Sequence, residues 1–434
     1  MINNIYKFIT YDLFKGETMK ITKLHARQVL DSRGNPTIEV EAYFNHIMAL
    51  AIVPSGASTG KYEALELRDG KRDFNGKSVQ KAVDNVNNII AKKLVGQEFL
   101  NQRAVDTLLL QLDGTPNKSK LGANAILGVS MAVARLASKV KHVQLYEYLA
   151  EVAGKTPKDY KMPVPFANII NGGKHAGTSL KIQEFMIAPV GAKNFVEATK
   201  MCAETYHTLK SLIEQKYGKS ATNVGDEGGF APQLNTPEQA LDLIVEAIKK
   251  AGYSGKVKIA IDAAASEFYK EGLYLMDRPY TRDEMVQYYT RLLKTYPIVS
   301  LEDPFDQDDF ESWAKLNEIA TKLKVRIIGD DLLVTNVSRI KMALEKKLCN
   351  SLLLKVNQIG TVTEAIDAAN YATNSGWHVM VSHRSGETED PFIADLAVAL
   401  GCSQIKLGAP CRTDRVCKYN RLIRIQDNKI PYKW

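Results

Sequence analysis

No run of about 18 or more uncharged apolar residues occurs in the 434-residue chain, so nothing in the sequence reads as a membrane span. Cysteine is sparse and unpatterned. Cys202, Cys349, Cys402, Cys411 and Cys417 form neither a C-x-x-C motif nor an even framework, which argues against a disulfide scaffold and predicts reduced, mostly buried thiols of a cytoplasmic protein. Low-complexity tracts and sequence repeats are also missing. The formal charge of +8, with a pI near 8.9, is not gathered into a basic tract. Acids are interspersed with the lysines on the helix faces, so no nucleic-acid partner is expected, and a mildly basic enzyme with an anionic substrate fits better. The first eighteen residues, MINNIYKFITYDLFKGET, lack a small-residue cleavage site and contain Asp12 and Glu17 without arginine. That composition argues against a secretory signal and a mitochondrial presequence, and residues 1–18 are expected to form a disordered or loosely docked extension.

What the chain does contain is a cadence. Six short apolar runs, KIAID, IVSLED, VRIIGD, SLLLK, HVMVSHR and QIK, break off at or beside Asp262, Glu302, Asp330, Lys355, His383 and Lys406. The intervals are 40, 28, 25, 28 and 23 residues, and all after the first match one strand, one helix and two loops. This spacing predicts a parallel β/α barrel, whose strands deliver their C-terminal residues to one face. A barrel of roughly 250 residues leaves room for a smaller companion domain.

The companion is legible upstream. ITKLHARQVL and TIEVEAYF alternate by side and are separated by the turn-rich DSRGNP, so both read as strands. VPSGASTGKYEAL reads as a mobile loop, and AVDNVNNIIAKKL, AVDTLLLQL and ANAILGVSMAVARLASKV carry helical periodicity. The expectation is an α+β domain over residues 19–159, a three-stranded sheet plus helices, followed by a barrel over 160–434. The barrel is expected to open with two strands, VPFANIIN and IQEFMIAP, and two helices before the strict alternation begins.

Asp262, Glu302 and Asp330 end three successive strands and place three oxygen donors side by side, which suits Mg²⁺. Taken singly, each acid also suits an N-cap or a loop charge. Lys355 closes a buried strand near these acids. It is read either as a base whose ammonium is destabilised by burial and bound cations, or as a structural partner of one acid. Arg384, beside His383 and Ser385 on a glycine-containing loop, offers a planar fork for phosphate or carboxylate, and Lys406 adds a second cation. Upstream, IQEF presents Glu184, GDEGGFAP presents Glu227 and GGKHAG presents His175. Two carboxyls near a base and metals supply the general acid that an elimination needs. The combination points to an anionic substrate with a proton to lose.

Taken together, DSRGNPT, VPSGASTG, ELRDG, KLGANAILGVS, NGGKHAG, QEFMIAP, NVGDEGGFAP, SLEDPF, GDDLLVTN, KVNQIGT and SHRSGETED resemble the enolase family in one order, from about Met19 to Ile425. The resemblance implies a hydro-lyase that interconverts 2-phosphoglycerate and phosphoenolpyruvate. By that resemblance Asp262, Glu302 and Asp330 hold a first Mg²⁺, and Ser58 of the VPSGASTG loop chelates a second that arrives with substrate. Lys355 matches the base, Glu227 the acid with Glu184 supporting it, and His175, Glu184, His383, Arg384, Ser385 and Lys406 the substrate-holding positions. A homodimer is the implied assembly, with no nucleic acid or membrane partner. Three departures from the family stand out. Leu407 replaces a small residue after Lys406 and would crowd the pocket, NHIMALAIVP lacks an arginine before the loop, and GLYLMDRPYTRDEM reads as a trimmed surface loop.

Overall fold

The computed structural model describes residues 18–57, 59–70 and 72–434; most of the expected N-terminal extension and Ser58 lie outside the described residues. Three strands, β1 (Lys23–Leu30), β2 (Pro36–Phe44) and β3 (Ile47–Ile52), form an antiparallel sheet in the order β1-β2-β3. The β1–β2 turn is set by Asp31, whose Oδ1 accepts from the amides of Arg33 and Asn35. The helix Ala123–Val140 packs across β2 and β3. Gly128 permits that approach, because a Cβ there would stand 2.6 Å from Val40. By length and composition this helix is apolar enough to cross a bilayer, but 89% of it is buried against the rest of the protein.

The helix read from AVDNVNNIIAKKL contains a π-helical segment over Val86–Ile90. There the Asn87 side chain accepts from the Ala26 amide and donates to its carbonyl, so the bulge joins a helix to the β1 backbone.

The remaining strands are β4 (Val164–Asn171), β5 (Glu184–Ala188), β6 (Lys258–Asp262), the short β7 (Tyr269–Lys270), β8 (Leu273–Leu275) and β9 (Pro279–Tyr280), then β10 (Ile298–Glu302), β11 (Arg326–Gly329), β12 (Ser351–Leu354), β13 (His378–Ser382) and β14 (Gln404–Lys406). Eight close a barrel in the order β4-β5-β6-β10-β11-β12-β13-β14, with β14 returning to β4. It is not parallel throughout: β5 runs antiparallel to both β4 and β6. The physical reason lies in the connection over 172–183, which holds one short 3₁₀ turn and no crossover helix, whereas a parallel return needs such a crossover.

The first interval of the cadence is long because β7, β8 and β9 form a small antiparallel sheet inserted between β6 and β10. The segment read as a trimmed loop is thus partly ordered strand, with Tyr274 fully buried. All five cysteines are free, three buried and two partly so.

Side-chain period sorts the barrel interior into layers. Val164, Phe166, Met186, Ala188, Ala260, Ile328, Leu353 and Met380 form a separate apolar cluster inside the barrel. Two residues further toward the mouth on the same strands stand Asn168, Glu184, Asp262, Asp330, Lys355 and Ser382, all buried.

Candidate active site

Strand register gathers the acids. Glu184 pairs with Asp262 across β5–β6, and Asp262 with Glu302 across β6–β10, so three carboxylates stand in one row. Because β5 is reversed, Glu184 is its first residue and still faces the mouth. The Lys406 ammonium reaches into this row, 2.8 Å from Asp262, 2.8 Å from Glu302 and 3.1 Å from Glu184. Burial opposes its charge, but Asp262, Glu184 and Glu302 outweigh that and hold Lys406 well above the usual lysine range.

Glu302 is pushed well above the usual carboxylate range by burial and then by Asp262, and its Oε2 has no hydrogen-bond partner. A buried, crowded and partly unpartnered carboxylate group is the kind of donor set that suits a hard divalent cation, and Asp262, Glu302 and Asp330 are of that chemistry. Among the described residues two other buried triads, His175–Glu184–Glu227 and Asp303–Asp330–Asp331, bring potential ligand atoms within 4.8 Å of one another, and Asp262, Glu302 and Asp330 do not form such a group. Asp303, however, spends both oxygens on the amides of Asp330 and Asp331, at 2.8 and 2.7 Å, and so shapes their turn. It does so from a left-handed backbone (φ 40°), a costly conformation for a residue with a Cβ.

Lys355 follows β12 and sits 2.5 Å from Asp330. Burial opposes its charge, but Asp330 wins and raises the lysine above its ordinary value. Of the two readings of Lys355, the pairing with one acid is the one seen here, and that ion pair favours its protonated form; the destabilised ammonium is premised on bound cations. Gln358 donates to Asp330 at 2.7 Å and to Glu63 at 3.3 Å, and Thr335 donates to Gln358. Arg384 is held in a fork by Glu63, at 3.1 and 3.2 Å, and donates to Asn357. Glu63 also accepts from the Gly60 amide, so the segment flanking Ser58 is tied to the arginine expected to grip substrate.

On the other side of the cavity two carboxyls share one neighbourhood. His175 stands 3.5 Å from Glu184 and 3.6 Å from Glu227. Gly225 allows the two loops to touch, because a Cβ there would lie 2.4 Å from the His175 carbonyl. Burial and then the charge of Glu227 raise the Glu184 carboxyl well above its usual range. Glu227 goes the other way: burial opposes its charge, yet His383, His175 and Arg415 hold it well below. Asn168 donates to Glu227 at 3.0 Å, and His383 Nε2 lies 3.2 Å from the same carboxylate. The two carboxyls are thus pushed apart, Glu184 toward its protonated form and Glu227 toward its ionised form.

His175, Glu184, Glu227, Asp262, Lys355, His383, Arg384, Ser385 and Lys406 line one small cavity, whereas Glu302 and Asp330 adjoin it through Lys406 and Lys355. Leu407 does not line it. That side chain is fully buried in the main core and points away from the mouth residue before it, as strand alternation requires. The arginine missing upstream of the loop is matched by Arg33 and Arg68, which donate to Gly56 and Ser55. Sequence reasoning missed Glu63, Asn168, Asp303, Gln358 and Arg415. Only Asp303 carried a local signal, its place directly after Glu302.

An eight-stranded barrel with strand-end acids, two buried lysines and a carboxyl pair shifted in opposite directions defines a β/α-barrel enzyme. Residues 21–149 match the enolase N-terminal domain, and residues 159–431 the enolase C-terminal TIM barrel domain. The chain is 56% identical to an enolase of Methanocaldococcus jannaschii over 412 residues, 94% of this chain and 96% of that protein. It is 55% identical to enolase 1 of Entamoeba histolytica over 430 residues, 95% of this chain and 98% of that protein. The chain belongs to the enolase family and is a lyase of that family.

Proposed function

We propose that the chain catalyses the reversible, Mg²⁺-dependent dehydration of 2-phosphoglycerate to phosphoenolpyruvate. The observation that carries this reading is the one cavity with Lys355 and Arg384 at one side and the Glu184–Glu227 pair at the other. Lys355 removes the C2 proton, and the carboxyl pair protonates the departing C3 hydroxyl. Because Glu184 is pushed toward its protonated form and Glu227 away from it, the acid is read as the pair rather than as Glu227 alone. Arg384, Ser385, His175, His383 and Lys406 hold the substrate.

Asp262, Glu302 and Asp330 would hold a first Mg²⁺ and Ser58 a second, and the bound cations supply charge stabilisation for the doubly negative carboxylate that proton removal creates. The pairing of a lysine base with one or two Mg²⁺ is a general pattern of this superfamily. The protein is read as a cytoplasmic homodimer, which light scattering on purified material tests. The reaction is tested by following phosphoenolpyruvate absorbance with purified protein, 2-phosphoglycerate and Mg²⁺. Absence of turnover, or turnover indifferent to Lys355→Ala or to EDTA, would overturn it.

A further inference from the structure

Arg415 is fully buried, and its guanidinium sits behind the acid side of the cavity. Its Nη1 donates to His383 Nδ1 and to the Arg384 carbonyl, both at 2.5 Å. Its Nη2 donates to the carbonyls of Ser385, at 2.7 Å, and Asp226, at 3.1 Å. One side chain therefore ties the loop that carries His383 to the loop that carries Glu227.

A guanidinium has donors only and keeps its charge at any pH the protein meets. Nδ1 of His383, facing that donor, must present a lone pair. A neutral imidazole with its lone pair on Nδ1 carries its proton on Nε2, and Nε2 is the atom 3.2 Å from Glu227. The close approach is built in: a Cβ on Gly408 would meet the Glu227 carbonyl at 2.8 Å, Arg415 Cδ at 2.9 Å and His383 Cε1 at 3.1 Å.

We propose that Arg415 is the positioning residue of the acid side, fixing His383 as the Nε2–H tautomer with that N–H on the Glu227 side, where Nε2 has no other partner among the described residues. The imidazole is then a permanent donor and not a proton carrier. Its charging is opposed by burial, which with Arg415 pushes it down to about 3 despite Glu227. The importance of this for turnover rests on the dehydration reading; the tautomer itself does not.

Histidine-selective ¹⁵N labelling tests the idea on the full chain without substrate, with the His383 signals among seven histidines assigned by their loss in His383→Gln. The expected spectrum shows the Nε2–H tautomer unchanged between about pH 5 and about pH 8, where an ordinary histidine titrates. Arg415→Gln should release a tautomer mixture, and Arg415→Lys, which keeps a donor toward Nδ1, should restore the single form. In turnover, Arg415→Gln should lower kcat by about tenfold or more with KM changed by less than about threefold, as loss of an oriented proton-transfer group does. In the His383→Gln background, where the amide replaces the Nε2–H donor, the same change should cost less than about threefold. A proton on Nδ1, a titration near pH 6 to 7, or an unchanged tautomer in Arg415→Gln would overturn the proposal. If Arg415→Gln does not fold, the wild-type spectrum decides by itself. A protein that shows the tautomer but forms no phosphoenolpyruvate would refute the reaction and leave the positioning role standing.

Discussion

Two layers of side chains fill the barrel, and only two residues along each strand separate them. In the lower layer Ile328, Leu353, Met186 and Ala260 pack as hydrocarbon. In the upper layer Asp330, Lys355, Glu184 and Asp262 are also buried but ionisable and paired across strands. The lower layer gains free energy by leaving water. The upper layer costs desolvation, which ion pairs only partly offset. Stability and chemistry are thus divided along the strand, and the strands are shared.

The contrast is broken most forcefully by removing Lys406. Lys406→Met leaves Glu184, Asp262 and Glu302 without their common cation, and metal-free protein should lose about 3–5 kcal/mol, the cost of breaking a buried pair from one side. Turnover should fall beyond detection as well, and urea unfolding with and without Mg²⁺ should show the metal recovering most of the loss in stability. A variant as stable as wild type without Mg²⁺ would show that the acids are not held by Lys406.

The lower layer should answer differently. Leu353→Ala should cost about 2–5 kcal/mol through lost burial and a cavity, with the Mg²⁺ dependence of unfolding unchanged. If turnover collapses while stability holds, the two layers are not separable.

A third environment sharpens the comparison, because Asp106 is buried and polar but far from the mouth chemistry. It caps the barrel helix Val362–Asn374 from the N-terminal region, accepting from the Thr363 amide at 3.0 Å and from Gln102 at 3.1 Å. Burial raises its carboxyl from the model-compound 3.8 to about 6. A folded-state pKa above the unfolded value means stability that is present below about pH 4 and lost as pH rises through about 6. Asp106→Asn should remove that slope, worth roughly 3 kcal/mol across the window. The amide also fits sterically, since Gln102 has an unpartnered Oε1 to accept from it. Parallel slopes in thermal unfolding of the two proteins would refute this.

The smallest effect belongs to the surface. Arg103 and Asp367 pair at 2.7 Å with both side chains 48% exposed, and Arg103→Ala should shift stability by less than about 1 kcal/mol. A larger loss would mean that this pair holds the two regions together.

The cadence of strand-end acids was legible because parallel crossovers have a characteristic length and strand ends share a face. The reversed β5 was not, since its signature is the lack of a helix over 172–183, and a glycine-rich loop reads alike in either direction. Glu184 reaches the mouth all the same, because one end of a reversed strand still lies there. The roles of Glu63 and Arg415 escaped because their partners lie hundreds of residues away or beyond a helix turn, as in Glu63 with Arg384. The two readings of Lys355 stayed open in the sequence for an electrostatic reason: burial alone would lower an ammonium, and the 2.5 Å contact with Asp330, aided by Glu302, reverses the sign.

Barrel closure has a consequence for synthesis. Glu184, Asp262 and Glu302 belong to β5, β6 and β10, which can associate once the first half of the barrel has been made. Their counter-charge, Lys406, lies on β14, the last strand, which also completes the ring by pairing with β4. A chain emerging N-terminus first therefore assembles its acids before the ammonium that neutralises them. Until β14 docks, that row of carboxylates lacks Lys406, and cations from solution can stand in its place.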